Sequence, residues 1–417
     1  MADAISGLGG GGAATPWAVN AATSATYATS AIVCLFGGPL ATRVGIRRLL
    51  ILGAATFPIN GSSYYVNLKY HLQWYLVFGR SIGGIGTGLW YIAESTMVLT
   101  YPEDHRRGSM LAFWVMSRNL GQIVGGVISL AKNYHNTHGK TIATDTFLIF
   151  VAIEACGLPI SLLISPSDKV RRQDGTSIRM SPPLPWREEF KIVWQTVIQP
   201  RSLWLSPYFF YSFFYGEVLG TYLTLNFDVR ARALSSLIVP ISIIVFVYSF
   251  GLLLDYKAWS QRKRAVLAYI IVTVPTLASF IWLMVNQVNH NKHGHKKLDW
   301  TSPGWPNAYL PFLIMQISGY QCQTFIYWLI SCHSDDINTN ARAAGVFRAI
   351  EASGQAISYG LNSCVKSNIP PLAINWGLFA LTVPGCIMVI AKTPRERVHD
   401  QIVHDDADVD KKVQAEH

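Results

Sequence analysis

The chain has 417 residues, of which 50% are apolar and only 14% are charged, and its mean hydropathy is +0.26. A soluble chain of this length carries about a quarter charged residues, so the composition excludes an ordinary soluble domain and indicates a membrane protein. The formal net charge is +10, but no basic and aromatic module of the kind that binds nucleic acid is visible, so we expect no nucleic-acid partner.

Apolar runs long enough to cross a bilayer recur along the whole chain. About 20 helical residues are needed to cross about 30 Å of hydrocarbon. Runs of about this length or more occupy residues 18–41, 49–68, 72–100, 109–131, 146–165, 202–227, 233–254, 265–288, 306–333, 343–365 and 369–391. They predict an all-α membrane protein with eleven spans, for which the lipid bilayer is the first partner.

The longest interruption between apolar runs divides the spans into two groups. We predict an N-terminal helix bundle over residues 1–165, a cytoplasmic linker over 166–201, a C-terminal helix bundle over 202–391 and a polar cytoplasmic tail over 392–417. Within the linker the apolar residues at helical spacing are Trp186, Phe190, Val193, Trp194 and Val197. This pattern predicts an amphipathic helix that lies either in the membrane interface or against the inner face of the protein.

The distribution of Lys and Arg predicts the orientation, because loops rich in these residues stay in the cytoplasm. Most of them fall on the side of the loop at residues 42–48, together with the loop at residues 262–264. We therefore expect a cytoplasmic C-terminus and an external or lumenal N-terminus. Whether the membrane is the plasma membrane or an endomembrane stays open.

A Gly-led basic loop occurs once in each half of the chain. Residues 38–48 (GPLATRVGIRR) are echoed by residues 251–264 (GLLLDYKAWSQRKR), and the offset is 251 − 38 = 213 residues, about half of the chain. A pattern that recurs in this way suggests two related helix bundles, the architecture of many secondary transporters.

No residue pattern indicates catalysis or a bound metal. The six cysteines lie in or at the ends of apolar runs without CxxC spacing, which is typical of small core residues. Two external loops contain the histidines His135, His138, His290, His293 and His295, where solvated histidine is commoner than a metal ligand. Because a nucleophile triad, a P-loop and a dinucleotide fingerprint are also missing, we expect neither enzyme activity nor a cofactor.

Ionisable residues inside the apolar runs are candidates for function, because a charge at the bilayer centre costs about 2.5 kcal/mol or more and should face the bundle interior. They are Arg80, Glu94, Arg118, Glu154, Glu217, Arg348 and Glu351. At 1.5 Å per residue, Arg118 lies about 14 Å and Glu217 about 22 Å from the start of its run, so we assign both to the substrate or proton pathway. Arg348 and Glu351 are three residues apart and can pair on one helical face, either structurally or within a substrate site.

Polar stripes at helical spacing mark two further helical faces. They comprise Gln316, Tyr320, Gln323 and Tyr327 in one run and Asn20, Thr23, Tyr27 and Ser30 in another. Together with the aromatic run at residues 208–215, they predict a cavity for an organic ligand with polar and aromatic groups. The alternative is that these amides and hydroxyls only bond helix to helix.

Short motifs lie at a characteristic order and spacing along nearly the whole chain: GLGGGG at 7–12, Gly79-Arg80 with the glycines to Gly88, YPEDHRRG at 101–108, NLGQ at 119–122, VRRQDGT at 170–176, DVRARAL at 228–234, GLLLD at 251–255 and AGVFRAIE at 344–351. In these motifs the chain resembles the fungal UNC-93-like (uncoordinated-93-like) branch of the major facilitator superfamily. None of these motifs is specific alone, but their order and spacing are. The resemblance implies two bundles of six helices each, a central cavity and alternating access.

The resemblance also implies roles for individual charges. Glu94 would pair with Arg43 and hold one conformational state, and Asp255 would belong to the same kind of gating contact in the second half. Arg80 matches an arginine that the superfamily associates with proton coupling. The glycines that follow Arg80 have GxxxG spacing, whose alternative role is close helix packing.

The chain departs from the family pattern at two places. The first basic loop has Thr42 where the superfamily has an Asp, and Ile46 where it has a basic residue, which weakens the contact that this loop makes between helices. Residues 6–12 match the end of the family's first helix, and only five residues precede them. We therefore expect the first of twelve helices to be missing from this sequence.

These features predict a secondary transporter that moves a small organic molecule by alternating access, with protons as a candidate coupling ion. The alternative is a non-transporting accessory or trafficking protein for another membrane protein, because animal UNC-93-like relatives include such proteins. Deep charges in both bundles favour transport, whereas the missing first helix favours either the alternative function or an incomplete sequence.

Overall fold

The computed structural model describes residues 17–102, 106–133, 144–171, 184–293, 297–333, 337–365 and 367–394. These residues are almost entirely helical. The glycine motif at 7–12, most of the linker motif at 170–176, the histidines at 135, 138 and 295 and nearly all of the tail lie outside the described residues.

The helices follow the apolar runs closely. In chain order they are α1 (Trp17–Leu35), α2 (Gly37–Val44), α3 (Ile46–Tyr70), α4 (Gln73–Thr100), α5 (Arg107–Asn133), α6 (Thr144–Leu162), α7 (Trp186–Ile198), α8 (Pro200–Tyr211), α9 (Tyr215–Asn226), α10 (Val229–Leu254), α11 (Gln261–His293), α12 (Trp305–Ser331), α13 (Ile337–Cys364) and α14 (Ile369–Ala391). Each predicted span coincides with one helix or with two helices in succession.

Two predicted spans are interrupted. The run at 18–41 is divided at Phe36 between α1 and the short helix α2. The run at 202–227 is divided at residues 212–214, where turn hydrogen bonds replace the helical ladder. Ser358 of α13 donates to the carbonyl oxygen of Phe214 at 2.6 Å and so satisfies an acceptor at the second break.

By length and composition alone, four of the described helices are apolar enough to span a membrane: Thr144–Leu162, Val229–Leu254, Gln261–Lys292 and Ile369–Ala391. The others carry more polar side chains, many of which are buried in the protein. In α13, for example, Arg348, Glu351, Gln355, Ser358 and Asn362 are all buried. A polar helix is compatible with a bilayer when its polar side faces other helices.

Contacts within each half build the two bundles. In the first half α3 packs against α4 and α6, and α1 packs against α4. In the second half α11 packs against α12, and α14 packs against α8. The most extensive contacts between the two halves are those of α1 with α13 and of α5 with α10, and α4 also packs against α13.

Glycines allow the two halves to approach closely at the α5–α10 pair. A Cβ atom at Gly251 would lie 2.6 Å from the Cβ of Ala112 and 2.8 Å from the carbonyl oxygen of Gly108. A Cβ atom at Gly126, near the other end of α5, would lie 2.5 Å from the carbonyl oxygen of Ser236. Side chains at these positions would push the helices apart.

The end of the molecule at which α2 and the α10–α11 loop lie carries Arg43, Arg47, Arg48, Arg262 and Lys263, and we call it the basic end. The linker helix α7 packs at this end against α2, α8 and α13. Glu189 and Val193 of α7 are buried, while Trp186, Phe190 and Trp194 are 46–64% exposed. The helix therefore packs against the protein with one face and leaves an aromatic face exposed, as a helix in the membrane interface would.

Candidate functional site

A central cavity lies between the two halves. Its volume is about 100 Å³. The lining side chains come from both halves and are Tyr27, Tyr91, Arg118, Gln122, Phe213, Glu217, Ser236, Val239, Pro240, Phe312, Gln316, Tyr320, Gln323, Arg348, Glu351, Gln355 and Tyr359. Aromatic rings, four carboxamides and ionisable groups of both signs share this narrow space.

Most of the residues that the sequence singles out come together here. The lining contains Arg118 and Glu217, the two deep charges, as well as three members of the α12 stripe. Asn20 and Tyr327 do not line the cavity. Asn20 donates through Nδ2 to Thr221 Oγ1 at 3.4 Å, and the Tyr327 ring packs edge-on against Trp114 at 5.6 Å between centroids.

Arg348 is the centre of an ion network that joins the halves. It donates to Glu351 Oε1 at 2.5 Å within α13 and to Glu94 Oε1 of α4 at 3.1 Å. Gln323 of α12 donates to both carboxylate oxygens of Glu351, at 3.2 and 3.1 Å. Gln355 donates to Oε1 of the same carboxylate at 3.4 Å. The guanidinium and the Glu351 carboxylate are each only 1% exposed, so the network is fixed inside the protein.

Aromatic rings surround the Arg348 guanidinium. Its central carbon lies 4.2 Å from the Tyr91 ring centroid, 5.4 Å from that of Tyr327 and 5.7 Å from that of Trp114. Such contacts stabilise a desolvated cation through the negative faces of the rings. The Trp114 indole also donates to Glu94 Oε2 at 3.2 Å, so the same ring positions the carboxylate.

Glu217 lies at the start of α9, just after the break between α8 and α9. It is 4% exposed, and its Oε1 accepts from Thr221 at 2.9 Å. Since Thr221 also accepts from Asn20 of α1, a chain of hydrogen bonds leads from Glu217 to the first half. Next to it the Tyr27 and Tyr359 rings stack at 5.3 Å across the α1–α13 contact.

A second cavity of about 480 Å³ lies inside the first half and shares Tyr91, Arg118 and Gln122 with the central cavity. Its other lining residues are Leu50, Phe57, Thr87, Trp90, Glu94, Met97, Trp114, Ser117, Gly121, Glu154 and Ile164. Glu94 and Glu154 thus face this second cavity and are not among the residues that line the central one.

A family profile described as Major Facilitator Superfamily matches residues 6–359. The chain belongs to the major facilitator superfamily. It therefore has the integral, multi-pass membrane fold of this superfamily. The two halves, the cavity between them and the helix pairs that connect them are the geometry of that fold.

Three comparisons show which proteins the chain resembles. The "Notoamide biosynthesis cluster protein O'" of Aspergillus versicolor is 34% identical over 389 residues, which are 93% of this chain and 84% of that protein. "UNC93-like protein 1" of Arabidopsis thaliana is 27% identical over 405 residues, 94% of this chain and 86% of that protein. A structure of the proton:xylose symporter XylE matches with a TM-score of 0.60 at 16% identity, covering 92% and 88% of the two chains. The fungal UNC-93-like branch fits these findings, and the likeness to the symporter shows the fold.

The structure contradicts the gating pair that the superfamily pattern implied for Arg43. Arg43, in the last turn of α2, donates to the carbonyl oxygen of Leu184 in the linker and lies 4.2 Å over the Trp186 ring. Glu94 lies more than a turn inside α4, lines the second cavity and binds Arg348 instead. The prediction that Glu94 pairs with Arg43 is therefore wrong, because the linker helix lies beside Arg43.

The other charges that the superfamily pattern singled out occupy positions outside the cavity. Arg80 is 5% exposed and donates to Asn60 Oδ1 at 2.9 Å and to Thr23 Oγ1 at 3.0 Å, which connects α4 to α3 and α1. A Cβ at Gly83 would lie 2.7 Å from Asn60, so the glycines beside Arg80 allow close helix packing. Asp255 follows the last residue of α10, and its carboxylate accepts hydrogen bonds from the backbone N–H groups of Gly108 and Ser109 in the first turn of α5, at the basic end.

The sequence analysis did not single out several of the lining residues, among them Tyr91, Gln122, Gln355 and Tyr359. Gln355 lies four residues after Glu351, so its position on the same helical face was a usable signal. Tyr359 continues that face by one more turn. Tyr91 and Gln122 lie in predominantly apolar stretches of α4 and α5, where one polar residue does not reveal which face lines a cavity.

Proposed function

We propose that the protein is a secondary transporter that moves a small organic molecule through the central cavity by alternating access. The observation that carries this proposal is the lining itself, which combines Arg118 and Glu217 from opposite halves with carboxamides and aromatic rings. A few placed polar groups among aromatic side chains are what orients an organic solute in a binding pocket, and this lining has both.

The relatives support transport. The Aspergillus versicolor relative is named for a biosynthesis cluster, and export of a product is a function that such a cluster needs. The symporter of similar fold is described as acting on xylose and protons. We propose proton coupling for this chain as well, with Glu217 as the carboxylate that takes up and releases the proton.

The present cavity, at about 100 Å³, is smaller than the roughly 300–1,000 Å³ of ordinary ligand pockets, so we propose that the transport cycle widens it from one end at a time. The α1–α13 and α5–α10 contacts run from the basic end to the opposite end. We propose that the two halves separate at one end while they stay in contact at the other, and that the two ends alternate. The excess of Lys and Arg at the basic end supports the assignment of that end to the cytoplasm.

The test is a pair of distances measured by electron spin resonance in proteoliposomes. Spin labels go on Arg48→Cys with Lys257→Cys at the basic end, and on Lys132→Cys with Ser367→Cys at the opposite end, because all four positions are exposed. The exposed Cys156 and Cys364 are first replaced by Ser. We expect the two distances to change in opposite senses between acidic and neutral pH.

Two distances that stay constant under both conditions would contradict alternating access. A protein with constant distances that purifies stoichiometrically with another membrane protein would instead support an accessory role. Flux is measured on the same liposomes with 4-hydroxybenzoate, an aromatic carboxylic acid, and D-xylose, a neutral sugar, as probes. We expect a faster flux of 4-hydroxybenzoate than of D-xylose.

A further inference from the structure

Glu351 fixes the orientation of two carboxamides in the wall of the central cavity. Its carboxylate pairs with the Arg348 guanidinium at 2.5 Å, so it is ionised and its oxygens can only accept hydrogen bonds. Gln323 of α12 and Gln355 of α13 approach this carboxylate, at 3.1 and 3.4 Å respectively. Each of them must therefore turn its amide N–H toward Glu351 and its carbonyl oxygen, Oε1, away from it.

Neither of these carbonyl oxygens accepts a hydrogen bond from the described part of the chain. Gln323 is 1% exposed, and its Oε1 is buried without a donor. Gln355 is 4% exposed, and among the described residues its side chain only donates, to Glu351. Buried acceptors are nearly always given a donor, because an unsatisfied one costs free energy. Both side chains line the cavity, so a bound molecule can supply this donor.

A third carboxamide extends this surface along α12. Gln316 lies seven residues before Gln323, about two turns away on the same helical face, and also lines the cavity. No other residue in the described ranges holds its amide by a hydrogen bond, so Gln316 can rotate to offer either its donor or its acceptor. The two fixed carboxamides therefore select for a donor, and Gln316 can adapt to the rest of the solute.

The charges of the lining favour a donor that is uncharged. Arg118 and Arg348 are balanced by Glu217 and Glu351, so the formal charges of the lining cancel. A cationic donor would bring an unbalanced charge into a narrow and buried space, which costs more than burying a neutral donor that is hydrogen-bonded. The aromatic rings of the same lining fit a flat aromatic skeleton.

We propose that the protein recognises aromatic solutes by an uncharged hydrogen-bond donor, an amide N–H or a phenolic O–H, which binds the carbonyl oxygens of Gln323 and Gln355. Glu351 is then a positioning residue, because it holds both carboxamides with their acceptors turned away from itself. This inference names the substrate class of the proposed transporter and rests on that proposed function.

The test compares pairs of compounds that differ only by a methyl group in place of the donor hydrogen. Binding to the purified protein in lipid nanodiscs is measured by isothermal titration calorimetry. Oxindole is compared with N-methyloxindole, and 4-hydroxybenzoate with 4-methoxybenzoate. We expect the donor compound to bind about three- to tenfold more tightly than its methylated partner in at least one pair, which is the change expected for one neutral hydrogen bond. The pair that discriminates identifies the donor as N–H or O–H.

Two variants remove the acceptors and nearly keep the size of the side chain. In Gln323→Met and in Gln355→Met we expect the ratio of the two dissociation constants to fall toward one, because the donor compound loses its partner. Gln321→Met is the matched control, since Gln321 is buried on the same helix but donates to the carbonyl oxygen of Phe246 and does not line the cavity. A variant that is only less stable would weaken both compounds alike, so the ratio separates recognition from folding.

Four outcomes would overturn this recognition: no binding of any of the four compounds, ratios of one in the original protein, ratios unchanged in both Gln323→Met and Gln355→Met, or tighter binding of benzylamine, a cationic donor, than of oxindole. The compound pairs on the original protein need no variant to fold. If the ratios are as expected while the spin-label distances stay constant, the recognition stands and transport fails. If the distances alternate while the ratios are one, transport stands and the recognition fails.

Discussion

Arg348 of α13 and Glu94 of α4 form an ion pair at 3.1 Å that connects the two halves beside the central cavity. The same guanidinium binds Glu351 at 2.5 Å, so one cation is shared by a carboxylate from each half. Any motion that separates α4 from α13 must break the ion pair between Arg348 and Glu94. The ion pair between Arg348 and Glu351 lies within α13 and can persist. Glu351 therefore moves together with Arg348, whereas Glu94 does not.

Glu351→Gln should reduce the amount of folded protein. The change weakens the buried pairing of Arg348, and breaking a buried ion pair costs about 3–5 kcal/mol. The measurement is the thermal unfolding midpoint of the detergent-solubilised protein, with Glu188→Gln, an exposed carboxylate on α7, as the control.

The double change Arg348→Met with Glu351→Gln should recover part of this loss, because neither charge is then left buried. Recovery should stay incomplete, since Glu94 loses its contact with the guanidinium. A double variant as unstable as the sum of the two single variants would mean that Arg348 and Glu351 are not coupled.

The pair within α13 and its third partner show how far sequence reasoning reaches. The spacing of three residues between Arg348 and Glu351 is a local signal, and the structure contains that pair. Glu94 is 254 residues away from Arg348, and only the packing of α4 against α13 brings them together. Hydropathy located the helices well but missed the division at Phe36, because an apolar run continues across a turn without a change in composition.

The orientation is tested by inserted N-glycosylation sites. Acceptor sites near Lys140 and near His293 should be modified, and one near Gly175 should not, because the loops rich in Lys and Arg stay in the cytoplasm. The native sequence Asn60-Gly61-Ser62 should stay unmodified in every variant, since Asn60 is 3% exposed and bound to Arg80. Gel mobility before and after glycosidase treatment reads the result, and modification near Gly175 would reverse the topology.

The loop before α12 should contribute stability that depends on pH. Burial raises the pKa of Asp299, but hydrogen bonds from Arg230 and Thr301 outweigh it and hold the pKa below its usual value. A lowered folded-state pKa means that the contribution is present above the ordinary carboxylate pKa of about 4 and is lost as the pH falls through the folded-state value.

Asp299→Asn should therefore lower the unfolding midpoint at neutral pH and match the original protein in strong acid. The effect should be small, about 0.5–1 kcal/mol, because both side chains are partly exposed. Unfolding midpoints across a pH series measure it. An equal deficit at every pH would show that the substitution acts through packing and not through the charge.

Glu217→Gln separates a proton role of this residue from a structural one. The amide keeps the shape of the side chain and can still accept from Thr221, so we expect the variant to fold and to reach the membrane. The amide of the new side chain does not titrate. If Glu217 is the coupling carboxylate, the spin-label distances should no longer respond to pH, and flux of 4-hydroxybenzoate should lose its pH dependence. Exchange of the solute across the membrane without a proton gradient should survive.

Glu188→Gln is again the control, because its carboxylate lies outside the cavity on the exposed side of α7. A Glu217→Gln protein whose distances and flux still follow pH would remove this carboxylate from the coupling mechanism and direct attention to the carboxylates around Arg348.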